Sequence, residues 1–216
     1  VKRVVEPILL LNHDWSIDDK SSLETSIGYQ FGEMGNSRLD YAGGANPSPA
    51  YYQDLPSYFL ADTDGPDYEA AYIAQENFIN NGQINWNRIY DANLTNNQAN
   101  LNAAYVLYED RVDDTQLTFN SAYNREINEN IKVTASANYR NLVSDNFAEI
   151  SDMLGGYSYS NIDSFDYLDY NLLSPNSIVS EGDKFKYHYK MNAEELSLFS
   201  ILNFSFNKLE FYFAGD

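Results

Sequence analysis

The sequence predicts an all-β, antiparallel fold: a segment of a transmembrane β-barrel wall with long extracellular loops that carry short helices. Three observations predict it. Apolar and polar residues alternate on both sides of three tight polar turns, Asp18-Asp19-Lys20, Asn128-Glu129-Asn130 and Asn207-Lys208. Long connections, at about 41–103 and 143–183, separate the three hairpins, and short turns on one side with long loops on the other mark an outer-membrane barrel. Aromatic residues gather near the turns, with Trp15 by the first and Phe204, Phe206, Phe211 and Phe213 around the third, as in the girdles at membrane interfaces.

Each strand can be justified in order. Val5, Leu9, Leu11, Trp15 and Ile17 share one parity before the first turn, and Leu23, Thr25, Ile27, Tyr29 and Phe31 share one after it. Leu117, Phe119 and Tyr123 precede the second turn, and Ile131, Val133, Ala135, Ala137 and Tyr139 follow it against Lys132, Thr134, Ser136, Asn138 and Arg140. Leu196, Leu198, Leu202, Phe204 and Phe206 lead to the third turn, and Leu209, Phe211 and Phe213 leave it. Period two means strands, which places six of them near 4–17, 22–40, 104–126, 131–142, 184–206 and 209–215. Ile8, Leu10, Phe199 and Ile201 fall on the polar parity, so parts of that face are expected to touch protein. A soluble sandwich shows the same alternation, but not the strict exchange of tight turns and long loops.

Other membrane-crossing modes find no support. The longest clear aliphatic stretch is Ile8 to Leu11, far below the ~18 apolar residues of a spanning helix. The chain starts at Val1 with no targeting segment, as expected of a processed or partial chain. Six strands are fewer than the about eight of the smallest barrels, so the expectation is a piece of a larger wall.

Cysteine is absent, which excludes disulfides and thiolate metal sites. The net charge is −19, and the stretches 41–112 and 141–183 hold 17 of the 32 acidic residues but 2 of the 13 basic ones. Such loops repel nucleic acid and bare anions and favour neutral or cationic ligands.

Within the first loop, Asp64-Gly65-Pro66-Asp67 reads as a helix entry and Asn81-Gly82 as a stop, predicting a helix over about 67–80. A second helix is expected from Ile84 to near Asn93. Rings and acids in the two loops supply the candidate ligand contacts: Tyr51, Tyr52, Tyr58, Trp86, Tyr157, Tyr159, Asp163 and Asp166. Tyrosine offers a stiff ring with a polar end, suited to carbohydrate, peptide or small amphipathic ligands, although the same rings could pack the loops together. Asp62, Asp64 and Asp67 resemble part of a calcium loop without its spacing or final Glu, and a helix entry explains them equally well. No other cofactor is expected. His13 and His188 stand alone in predicted strands, and no catalytic elbow, nucleotide loop or zinc motif occurs, so the expected protein is not an enzyme.

Several stretches resemble the barrel region of TonB-dependent outer-membrane receptors, notably the SusC-like and carboxypeptidase-regulatory-like-extended groups. They are Tyr51 to Tyr58, Gln83 to Trp86, Tyr108 to Asp114, Tyr139 to Leu142, Leu154 to Tyr157 and Gly182 to Tyr187. The resemblance implies that 1–216 is part of a barrel of about 22 strands, whose plug is absent from this chain, in the outer membrane of a Gram-negative bacterium. It implies a nutrient importer. The expected partners are outer-membrane lipid, the rest of the barrel and its plug, TonB, and a surface lipoprotein lid or other outer-membrane proteins, with no nucleic acid. Two other functions fit the pattern: a receptor-like scaffold in an outer-membrane assembly, and a secreted all-β binding domain.

Overall fold

The computed structural model describes residues 2–61, 63, 65–163, 168–171 and 175–216. Among these, seven strands form one sheet. They are β1 (Lys2–Val5), β2 (Ile8–Asp18), β3 (Ser21–Tyr41), β4 (Tyr105–Asn128) and β5 (Ile131–Asp152), then β8 (Lys184–Phe206) and β9 (Leu209–Gly215). The order is β1-β3-β4-β5-β8-β9, with β2 also on β3. The chain is therefore all-β, and the sheet is open, with β1 and β2 on one edge and β9 on the other. The first predicted strand is two strands in one register, since Val5 faces Glu33 and Ile8 faces Gln30. Pro7 supplies no N–H to the ladder, but its carbonyl still accepts from Phe31 N at 3.2 Å.

The chain divides into two compact units. One comprises 1–36, 110–147 and 188–216, and the other 37–109 and 148–187.

The first unit holds the three tight turns. Two are closed alike: Lys20 N donates to Asp18 Oδ1 at 2.8 Å, and Asn130 N to Asn128 Oδ1 at 2.9 Å, the side chain replacing a backbone acceptor. The third is a two-residue turn in which Asn207 adopts φ 55°, a left-handed conformation that Asn tolerates.

Side-chain pairs fix the faces, because directly opposed residues in an antiparallel pair point the same way. Leu9, Leu11 and Trp15 oppose Tyr29, Ile27 and Leu23. Thr25 and Ser121 hydroxyls meet at 3.1 Å, which puts Leu117, Phe119 and Tyr123 on that same face. Leu202, Phe204 and Phe206 oppose Phe213, Phe211 and Leu209, and Phe204 stacks on Phe211 at 5.1 Å. The opposite face is a polar ladder. Thr134 donates to Asn124 at 2.8 Å, Arg140 to Gln116 at 3.0 Å and Asn138 to Ser197 at 3.3 Å, while Asn120 donates to Asn138. Lys132 pairs with Glu126 at 2.5 Å.

The apolar face is open to its surroundings: Leu11 is 65% and Leu198 62% exposed. On β3 it runs from Leu23 to Phe31 and stops at Glu33, which binds Arg3 at 2.7 Å and Arg111 at 2.6 Å. Arg111 also grips Asp113 at 2.8 Å and lies over Phe147 at 5.1 Å. Along the strand the apolar run spans about 27 Å at ~3.4 Å per residue. A strand tilted by about 40° would raise it about 21 Å, close to the ~25 Å lipid band of an outer-membrane barrel.

The second unit packs the first loop and the remaining strand ends around its own core. The first loop forms α1 (Pro56–Leu60), α2 (Tyr68–Asn81) and α3 (Trp86–Gln98). Asp67 caps α2 by accepting from Ala70 N at 2.9 Å, and Asn85 caps α3 by accepting from Arg88 N at 3.0 Å, so both helices start on Asx caps. The second loop carries a small antiparallel pair, β6 (Tyr159–Ser160) with β7 (Ile178–Val179).

Besides the split first strand and the β6–β7 pair, three elements differ from the sequence expectation. β5 runs ten residues past 142, to Asp152, and its alternation breaks down there. Up to Tyr139 the apolar residues are odd-numbered, whereas further on Phe147, Ala148 and Ile150 are all buried, so a single alternation cannot follow the whole strand. The second loop accordingly begins at 153. The second helix of the first loop starts at Trp86 and continues to Gln98, and α1, too short to show a helical period, was not anticipated.

Candidate functional site

The second unit is built around Asn93 of α3, which is fully buried. Its Nδ2 donates to the carbonyls of Tyr105, Met153 and Leu154 at 2.8, 3.0 and 3.1 Å. Its Oδ1 accepts from Ala104 N and Tyr105 N at 2.8 and 3.1 Å. One side chain thus supplies partners to five buried backbone groups at the junction of α3 with the ends of β4 and β5, as burial requires. Beside it, Ile89 packs with Ala104, Tyr105 and Leu154. These contacts fix α3, and with it one wall of a cleft.

The cleft has a volume of about 610 Å³ and lies between α2, α3 and the segment 46–49. The face of α2 that repeats at helical spacing through Ile73, Asn77 and Asn81 lines it, together with Gln83, Asn85 and Arg88. Tyr105 forms part of the floor and donates its hydroxyl to Ala45 O at 2.7 Å, and Asn46 Nδ2 donates to Tyr41 Oη at 3.1 Å, so the 46–49 wall is tied down. Burial raises the Tyr105 phenol above its ordinary range, opposed by the nearby Arg88 charge. The lining is rich in carboxamides, and its volume falls in the ~300–1,000 Å³ range of small-molecule sites.

A second cluster surrounds Lys186. Its Nζ pairs with Asp40 Oδ1 at 2.9 Å and lies 4.6 Å from the Tyr108 ring centre. Tyr159 donates its hydroxyl to Asp40 Oδ2 at 3.0 Å. Burial, and then the Asp40 charge, push the Tyr159 phenol far up, so it stays a donor. Tyr170 donates to Asp163 at 2.7 Å and is raised in the same way, by burial first and Asp163 second. This buried ion pair is fully partnered within the unit, which marks it as part of the architecture.

The predicted ligand residues separate into three groups. Tyr51, Tyr52 and Tyr58 do come together, edge to face with centroids 5.0 and 5.8 Å apart, and Tyr58 continues onto Phe59 at 5.5 Å. Of this ring series only Phe59 reaches the cleft. Trp86 and Tyr157 are exposed, at 44% and 80%, and neither lines it. Tyr159 contradicts the expectation of a ring facing a ligand: it has no exposed surface and serves the Asp40 network, because its hydroxyl finds a buried carboxylate. Asp163 is engaged by Tyr170, and Asp166 lies outside the described residues. Of the calcium candidates, Asp67 caps α2, and Asp62 and Asp64 lie outside the described residues. Among the described residues, no three His, Asp or Glu side chains gather as a metal site would require. His13 sits in β2 opposite Thr25, and His188 binds Asp145 at 2.8 Å.

Sequence reasoning looked for rings and missed the amides. The signal was present in the Asn and Gln density of residues 77–85, which a search for catalytic motifs and aromatic clusters passes over.

The roles of the two tyrosines can be separated. Tyr159→Phe is expected to cost about 1–2 kcal/mol, the loss of a hydrogen bond to a buried carboxylate, whereas Tyr157→Phe should stay within about 0.5 kcal/mol. Denaturant unfolding of the two variants checks this.

Fold and site together define an all-β protein with an amide-lined cleft in its loop-bearing unit. No family model, curated protein or solved structure matches the chain. Among the described residues, no helix is long and apolar enough to cross a membrane, which says nothing about crossing by strands.

Proposed function

We propose that the chain is part of an outer-membrane barrel wall of the TonB-dependent-receptor kind, whose loops capture a nutrient outside the cell for import. The observation that carries this reading is the two-faced sheet of the first unit. An exposed apolar face of about membrane height is bounded by the Arg3, Glu33, Arg111 and Asp113 cluster, against a hydrogen-bonded polar face. A sheet in water gains nothing from leaving Leu11, Leu198 and Phe213 exposed, whereas lipid would cover them at no cost in lost hydrogen bonds. In a barrel the polar ladder would face the lumen, and the two edge strands would pair with further wall.

The three tight turns would then lie in the periplasm and the acidic loop region outside. Its acidity suits capture of neutral, zwitterionic or cationic solutes. A plug, the coupling protein TonB and a lipoprotein lid remain partners by resemblance.

Fractionating cells that make the protein tests the location. It should sediment with the outer membrane and leave it only in detergent. Recovery in a soluble fraction would overturn the reading in favour of a secreted binding domain.

A further inference from the structure

We infer that the cleft between α2 and α3 binds a short peptide through its free carboxylate, with Arg88 as the anchor. The inference rests on the capture-loop reading for its physiological role, but binding itself does not depend on where the sheet resides.

Arg88 is the sole Lys or Arg between Tyr41 and Glu109 in the sequence. It lines the cleft, its side chain is exposed, and it has no ion-pair partner among the described residues. Its donors are therefore not committed to a carboxylate of the described residues, even though acids outnumber bases heavily around it. A flat, five-donor guanidinium left open in a concave site suits a planar two-oxygen acceptor, and a carboxylate meets it with two parallel hydrogen bonds.

The rest of the lining narrows the ligand. The Asn77, Asn81 and Gln83 carboxamides carry no side-chain hydrogen bond among the described residues, and each offers both a donor and an acceptor. A peptide group needs that combination. Ile73 and Phe78 give apolar contact for side chains. A ligand bearing only a carboxylate would be repelled by the surrounding acids. A peptide also carries an ammonium group, for which Asp54 on the cleft wall is the complementary charge. A neutral sugar would use the amides and leave the guanidinium unpaired.

The test is calorimetric titration of the purified, detergent-solubilised protein with the tripeptide Ala-Phe-Ala, its C-terminal amide, and maltotriose. The free acid is expected to bind, and amidation should weaken it about 10- to 100-fold, the worth of a charge-assisted bidentate contact. Arg88→Gln should weaken the free acid by a similar factor and abolish its advantage over the amide. Arg88→Lys should recover part of the affinity, a result that a purely structural role for Arg88 would not give. Maltotriose should not bind. Equal binding of acid and amide, indifference to Arg88→Gln, tighter binding of maltotriose, or no binding of either peptide to folded protein would each overturn the inference. Because fractionation scores membrane location independently, loss of peptide binding with location intact refutes this inference alone.

Discussion

Replacing Asn93 with alanine is expected to loosen the loop-bearing unit by about 3–5 kcal/mol, the largest effect of any single polar substitution in it. The substitution removes the side-chain partner of the Tyr105 and Leu154 carbonyls and of two N–H groups, of Ala104 and Tyr105, around a fully buried side chain, whereas the Met153 carbonyl keeps the Gly156 N–H at 2.8 Å. Partial collapse of the cavity and entry of water limit the cost, which is why the sum of five separate bonds is not expected. Asn93→Asp should do no better at neutral pH, because a carboxylate would face the three carbonyl oxygens. Hydrogen exchange reads the result: the amides of Ala104 and Tyr105 should become the most deprotected. Unchanged protection there would mean that the clasp does not hold α3 in place.

The second large effect concerns the sheet. Ala135 shares the face of Val133 and Ala137, whereas Ser136 lies on the face of Thr134, which bonds to Asn124 at 2.8 Å. If the apolar face meets lipid, Ala135→Arg should destabilise the barrel by about 2–4 kcal/mol, the cost of a cation near the bilayer midplane. Ser136→Arg should cost much less, because its neighbours are the polar ladder and water. Urea unfolding in lipid vesicles measures both. Equal sensitivity would show that the two faces are wrongly assigned.

How far the fold could be read in advance depended on how long one alternation lasted. β9, together with β3 and β4 near their turns, keeps a single apolar parity, so strands, turns and facing were legible there from spacing alone. β5 buries residues of both parities after Val143, so the pattern that identified the strand also hid its last ten residues. The break at Pro7 was visible in principle, since proline removes a ladder donor. The Asx caps at Asp67 and Asn85 were local and legible to within a few residues. Tyr159 could not be told from Tyr157 in the sequence, because what separates them is Asp40, more than a hundred positions away. The cleft was equally hidden, since its walls come from α2, α3 and the 46–49 segment, which no local spacing brings together.

As the proposed barrel wall, this sheet would hold its loops outside the cell and its turns in the periplasm. The absence of native cysteine makes single-cysteine labelling clean. Glu76→Cys on α2 and Glu129→Cys in the second turn can each be exposed, in intact cells that make the protein, to a maleimide that does not cross the outer membrane. Rapid labelling is expected at position 76 in intact cells, and labelling at position 129 only after the outer membrane is permeabilised. Labelling of both positions in intact cells, or of position 129 alone, would contradict it.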